Sequence, residues 1–205
     1  MNVRVVFVDW YKTLSTSLFW QQSPGCRLSA ADSASAGSYV FSGAELVRQW
    51  MRGAVAAEDV CTLTAGILGL AAADLLSDLE HSCRCFEFDD PASVDALRAI
   101  RAQGIKVVLA TDNMDAFSRW TVPALHLGDM FDAILDSASL GVLKDDRVGG
   151  HSPFFGPWLT DHRIPPSEAV LIDDSPPASA AAIGLQLGVV KHPSKLVSVL
   201  RQLGL

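Results

Sequence analysis

The sequence predicts an α/β fold: a Rossmann-like, doubly wound parallel sheet with a small, mainly helical segment inserted after the first strand. Three observations carry this expectation. Short unbroken apolar runs recur at VRVVFV (3–8), KVVLA (106–110), AVLI (169–172) and LGVV (187–190), as strands buried on both faces of a parallel sheet require. Helical patterns separate the later runs, which suits the right-handed crossovers of such a sheet. The alternation fails once, across residues 15–88, where only helical patterns occur. The expected organisation is therefore a core of residues 1–14 and 89–205 with an insertion of residues 15–88.

Each element has its own local justification. The first strand, VRVVFV, is β-branched and aromatic and runs directly into Asp9. Ser23 to Ser38 is rich in Ser, Ala and Gly and reads as a loop. GAELVRQWMRGAV (43–55) and AGILGLAAADLLSDLEH (65–81) have helical spacing. PASVDALRAIRAQG (91–104) places Val94, Leu97, Ile100 and the stem of Arg101 on one helical face, with Gly104 as its stop. After the second apolar run come Thr111, Asp112 and Asn113, and after the third come Asp173 and Asp174. SPPASAAAIGLQLG (175–188) opens with prolines suited to a helix start. PSKLVSVLRQLGL closes the chain with Leu196, Val199, Leu200 and Leu203 on one face.

Composition narrows the function classes. In a chain of 205 residues, 49% are hydrophobic and 19% charged, the balance of a soluble globular domain. A formal net charge of -7 with no basic run argues against a nucleic-acid partner. No apolar stretch is long enough for a membrane span, and the N-terminus lacks the pattern of a secretory signal. The expectation is a cytoplasmic protein with no membrane partner. Cys26, Cys61, Cys83 and Cys85 have neither zinc-ligand spacing nor the density of a disulfide framework, and read as reduced thiols.

The chemistry gathers at the strand ends. In a parallel sheet, Asp9, Thr111 and the pair Asp173–Asp174 come to one edge despite their separation in sequence. Adjacent acids repel unless a positive charge lies between them. Mg2+, which prefers hard oxygen ligands and tolerates one or two carboxylates with water and phosphate, is the natural candidate.

These residues resemble the motifs of the haloacid dehalogenase-like superfamily, many of whose members are phosphatases. The first motif of that family, a strand followed by Asp-x-Asp-Gly-Thr-Leu, is approached by Asp9-Trp10-Tyr11-Lys12-Thr13-Leu14. The second, a strand ending in Ser or Thr, is matched by VVLAT at Thr111; the third by Lys144 in GVLKDD; the fourth by VLIDDS with Asp173 and Asp174. The four stand in family order along almost the whole chain. The resemblance implies that the insertion is a cap and that the protein is an Mg2+-dependent hydrolase of a small phosphorylated substrate. Asp9 would be the nucleophile, forming an aspartyl-phosphate. Asp9, the Tyr11 main-chain carbonyl, Asp173 and Asp174 would hold the metal. Thr111 and Lys144, with Asp112 and Asn113 beside them, would bind the phosphoryl group.

Two positions depart from the family pattern. Tyr11 stands where phosphatases carry the second Asp, which protonates the leaving group and then activates water. A phenol that titrates near ~10 is a poor base at neutrality. Asp-x-Tyr also resembles the haloacid dehalogenase branch itself, where the Asp displaces halide from carbon without a metal. A third reading follows from the missing acid/base: a catalytically weakened protein that binds phosphate or a partner. Lys12 replaces the usual glycine and reads as a solvated turn residue. Trp10, Trp20 and Trp50 are better explained by packing than by a pocket, and HSPFFGPW (151–158) by packing of the next helix on the sheet.

Overall fold

The structure is a computed structural model that describes residues 2–205. Five parallel strands form one sheet: β1 (Val5–Val8), β2 (Lys106–Thr111), β3 (Ala133–Asp136), β4 (Ala169–Asp173) and β5 (Gln186–Val189), in the spatial order β3-β2-β1-β4-β5. The strand expected first is thus central, flanked by β2 and β4. All four of its residues are wholly buried, each side chain contributing about 1.5–3 kcal/mol relative to exposure.

β3 is the one strand the sequence reading did not anticipate. It is an edge strand of four residues, two of them only half-buried, so FDAILDS carries too short an apolar run to announce it. The other edge is tight for a different reason. A Cβ on Gly188 would come within 2.7 Å of Ile172 Cδ1 and 2.9 Å of Leu203 Cδ1, so glycine is what lets the C-terminal helix close over β5.

Period-two alternation along the strands builds a layer on each face. Val6, Val8, Val107, Leu109, Val170 and Ile172 face one side and Val5, Phe7, Val108, Ala110 and Leu171 the other. The chain supplies eleven helices among the described residues. Between β1 and β2 lie α1 (Ala30–Ser42), α2 (Ala44–Met51), α3 (Ala57–Leu68), α4 (Ala72–Arg84) and α5 (Pro91–Ala102). Short helices α6 (Val122–Ala124) and α7 (Leu127–Met130), preceded by a π-helical turn at Phe117–Thr121, lead into β3. Then follow α8 (Ser137–Leu140), α9 (Gly156–Asp161), α10 (Ala178–Ala182) and α11 (Leu196–Gln202). Leu97 and Ile100 of α5 and Leu196 and Leu200 of α11 cover the first face. Leu159 of α9 and Ala180 of α10 cover the second, with Phe155 edge-on to Phe7 at 5.2 Å. HSPFFGPW therefore packs α9 on the sheet as its composition suggests.

Helices α1 to α4 have a buried cluster of their own, built on Val40, Trp50, Val60, Leu75 and Leu79, which reaches the sheet layer through Met114, Ala116 and Trp120. Trp10, Trp20 and Trp50 are all buried packing residues.

Three local expectations are corrected. Part of the Ser23–Ser38 segment is helical, because Ser29 caps the Asp32 N–H at 3.1 Å and Ser33, Ala36 and Val40 present one buried face. Alanine is the best helix former, and that face outweighs the serines. The pattern at 65–81 is two helices, divided at Gly69, which takes the left-handed conformation at φ 68 and ends α3. The helix expected over 175–188 is confined to Ala178–Ala182 between Pro177 and Gly184.

Candidate active site at the carboxyl ends of the strands

Asp9 leaves β1 with its N–H donated to the Ile172 carbonyl at 2.9 Å, extending the β1–β4 ladder by one residue. That bond sets Asp9 beside Asp173, the last residue of β4. One oxygen from each of Asp9, Asp173 and Asp174 lies within 4.8 Å of the others. Lys144 enters from the loop between α8 and α9, its Nζ 2.9 Å from Asp9 Oδ1 and 2.6 Å from Asp173 Oδ2. All three side chains are buried.

The loop that carries Lys144 is held at several points. The Lys144 N–H donates to Asp112 Oδ1 at 2.9 Å, and its carbonyl accepts from the Ser179 hydroxyl. Two residues on, Asp146 accepts from the Leu143 N–H at 2.9 Å and from Arg52 at 2.6 Å. Asp112 thus holds the lysine's main chain rather than its ammonium. Asn113 turns its Oδ1 to the Met114 N–H at 3.0 Å, while its own N–H and carbonyl engage the Ser137 hydroxyl.

Burial dominates the electrostatics. It pushes the Asp9 carboxyl up to about 6, with Lys144 pulling it down and Asp173 adding repulsion. Burial likewise opposes the Lys144 charge, but Asp9, Asp173 and Asp112 together raise its pKa above the ordinary lysine value, so it stays protonated. Asp112 is raised by burial against the pull of Lys144. Three carboxylates, Asp9, Asp173 and Asp112, therefore act on one buried ammonium, with Asp174 beside them, an excess of negative charge that a divalent cation suits.

The turn after Asp9 is closed by the Trp10 carbonyl, which accepts from Leu14 at 2.8 Å and Ser15 at 3.1 Å. Lys12 sits at φ 60, the left-handed region where the resembled motif has glycine. Tyr11 points outward, 40% exposed, with the Lys12 ammonium 5.2 Å from its ring centroid. Its side chain joins neither the carboxylates nor Lys144. Among the described residues none donates to the Tyr11 main-chain oxygen, which leaves that atom free to act as a ligand.

Among the described residues three buried hydroxyls lack a protein partner, Thr64 Oγ1 in α3 and, near the acidic cluster, Thr111 Oγ1 and Thr13 Oγ1. Such donors are costly unless something accepts from them, and Thr13 and Thr111 adjoin the acidic cluster in sequence or along the sheet edge. The sequence carries no signal for Ser179 and Ser137, which act only through contacts with residues far away in the chain; Thr13 belongs to the motif that begins at Asp9.

No protein-family model matches the chain, and no curated protein matches it in sequence. Solved structures do match. A predicted haloacid dehalogenase-like (HAD-like) family hydrolase from Porphyromonas gingivalis superposes with a TM-score of 0.71 at 15% identity, covering 99% of this chain and 98% of its own. A HAD family enzyme from Bacteroides thetaiotaomicron, in a magnesium complex, gives 0.71 at 15% identity, with 98% and 100% covered; it has also been solved with magnesium and inorganic phosphate. The L-2-haloacid dehalogenase of Xanthobacter autotrophicus gives 0.63 at 16% identity, with 91% and 77% covered. The chain has the fold these proteins share.

Proposed function

We propose that this chain is a hydrolase of the haloacid dehalogenase-like superfamily, Mg2+-dependent and directed at a small phosphorylated substrate. The observation that carries the reading is the Asp9–Asp173–Asp174 cluster with Lys144 bridging its first two members. The donor set fits magnesium: three carboxylates and the unengaged Tyr11 carbonyl are hard oxygens, and the excess of negative charge calls for a dication. When bound, the metal would supply charge neutralisation between nucleophile and phosphate.

In this reading Asp9 attacks phosphorus in line, the substrate oxygen departs, and an aspartyl-phosphate forms. Thr13 and Thr111 donate to phosphoryl oxygens, gaining the acceptors that the protein itself does not provide. Lys144 stays protonated and offsets the charge that develops next to Asp9 and Asp173. Residues 15–88 act as the cap; Arg52, just past α2, contacts Asp146 and so links that segment to the loop holding Lys144. Tyr11 contributes its carbonyl but no proton transfer, so water attack on the aspartyl-phosphate is the slow step.

Tyr11 also supports a second reading, attack by Asp9 on carbon as in a dehalogenase; the Xanthobacter neighbour is named as one. The acid pair in the place of its fourth motif favours phosphoryl chemistry instead. The same tyrosine underlies the third reading, a phosphate- or partner-binding protein with little turnover.

A panel of phosphate monoesters and 2-haloacids, assayed with and without Mg2+, separates the three. The proposal expects Mg2+-dependent phosphate release that Asp9→Asn abolishes. Turnover indifferent to chelator, or halide release in its place, overturns it.

A further inference from the structure

The segment leaving β1 and the segment returning toward β2 run side by side. The Asp89 N–H donates to Leu14 O at 3.1 Å, and Thr16 donates to the Asp89 carboxylate from its N–H at 2.8 Å and its hydroxyl at 2.6 Å. Farther out along the same two segments stand two cysteines. Ser23 Oγ lies 3.9 Å from Cys26 Sγ and 3.9 Å from Cys85 Sγ, so the two sulfurs flank a single oxygen.

The surroundings of this pair differ from those of the other two thiols. Cys61 and Cys83 are buried, and burial pushes the Cys61 thiol up to about 12 and Cys83 higher still, which leaves them inert. Cys85 is exposed and Cys26 partly so. His81 Nε2 is 2.9 Å from the Pro24 carbonyl, which can only accept, so that nitrogen carries its proton. The same nitrogen is 3.8 Å from Cys85 Sγ. Gly25, at φ 105, lays the Pro24–Cys26 turn flat on the imidazole; a Cβ there would meet His81 Cε1 at 3.1 Å. The turn thus brings Cys26 up to the sulfur that His81 attends.

We propose that Cys85 and Cys26 are a peroxide-responsive thiol pair that closes to a reversible disulfide across the two connecting segments. The Cys85 thiolate attacks one oxygen of a hydroperoxide; the O–O bond breaks, giving a sulfenic acid on Cys85 and releasing the other oxygen as water or alcohol. Cys26 sulfur then attacks the Cys85 sulfur, and the sulfenic hydroxyl leaves as water. Two thiols are oxidised by two electrons and the hydroperoxide is reduced by two. This pair stands apart from the acidic cluster and does not depend on its assignment.

The test is intact-mass spectrometry with peptide mapping of the wild-type protein, Cys26→Ser and Cys85→Ser after brief treatment with hydrogen peroxide. The wild type is expected to lose about 2 Da, reversibly with dithiothreitol, with the link mapped to Cys26 and Cys85. Cys26→Ser is expected to stop at a gain of about 16 Da, trapped by dimedone on Cys85. Cys85→Ser is expected to react at least about tenfold more slowly, because it removes the exposed thiol and leaves only the partly covered Cys26. A wild-type protein that keeps four alkylatable thiols, or a disulfide mapped elsewhere, overturns the proposal.

Discussion

The Lys144 ammonium donates to Asp173 at 2.6 Å from a position where it also reaches Asp9 at 2.9 Å. A single buried cation therefore holds together the ends of two strands, β1 and β4. Removing it leaves two carboxylates adjacent and unpaired, and breaking a buried ion pair by deleting one partner costs about 3–5 kcal/mol. Lys144→Met is expected to lose about 3 kcal/mol of stability in urea unfolding, and to lose all turnover. Wild-type stability in that variant would show that the ammonium is not what offsets the carboxylates.

Tyr11 has a carbonyl to offer and no usable base. The wild type is expected to release one leaving group per chain in a burst and then turn over slowly. Tyr11→Asp is expected to raise the steady-state rate about 10²-fold, the lower range for a positioned acid/base. Rapid-quench kinetics on a chromogenic phosphate ester reads both phases. A variant no faster than wild type would mean that water attack is not the step Tyr11 impairs.

Metal binding is measurable without turnover. Magnesium at about 100 times its dissociation constant is expected to stabilise the fold by about 2.7 kcal/mol, with the gain abolished by chelator. Asp174→Asn, which removes one of the three clustered carboxylates, is expected to shift the titration to higher metal. Thermal melts across a magnesium series decide this, and an unchanged midpoint would sink the assignment of Asp174.

Lys12 occupies a left-handed conformation at φ 60, which costs an L-residue roughly 1–2 kcal/mol. Lys12→Gly relieves that strain and gives back part of it through a freer unfolded chain. The expected net is a gain of about 0.5–1 kcal/mol, read from denaturant midpoints. A loss would show that the ammonium over the Tyr11 ring matters more than the backbone.

Arg52 and Asp146 join α2's end to the Lys144 loop. Burial raises the Asp146 carboxyl, but the Arg52 guanidinium and the Leu143 N–H outweigh it and hold the group below its ordinary value. A depressed carboxyl stabilises the fold above its unfolded value and loses that contribution as pH falls through the folded one. Arg52→Gln is expected to cost about 1 kcal/mol at pH 7, for a pair only partly exposed, and the gap to wild type should narrow as pH falls and Asp146 protonates. A gap independent of pH would assign the loss to packing.

What was legible from sequence were features with a local cause. A buried strand must be continuously apolar and must stop where a charge begins, so Asp9, Thr111 and Asp173 mark their own strand ends. Strand direction follows from the helices between, and one shared edge follows from direction. The same local logic failed where the cause was distant. Ser23–Ser38 looks like a loop until Ala36, with Val40 just beyond it, finds the cluster around Trp50, and β3 has too few apolar residues to stand out.

By itself, then, the sequence determined the α/β class, the order of the strand-end groups and the missing carboxylate at Tyr11. Tertiary structure decided which of those groups meet. Lys144 reaches both acids because Asp112 and Ser179, 32 and 35 residues away, hold its main chain. Tyr11 faces solvent because the turn closes on the Trp10 carbonyl. Cys26 and Cys85 come to share Ser23 because two segments distant in sequence run together. Periodicity records which face of an element is buried; it carries no term for the partner that buries it.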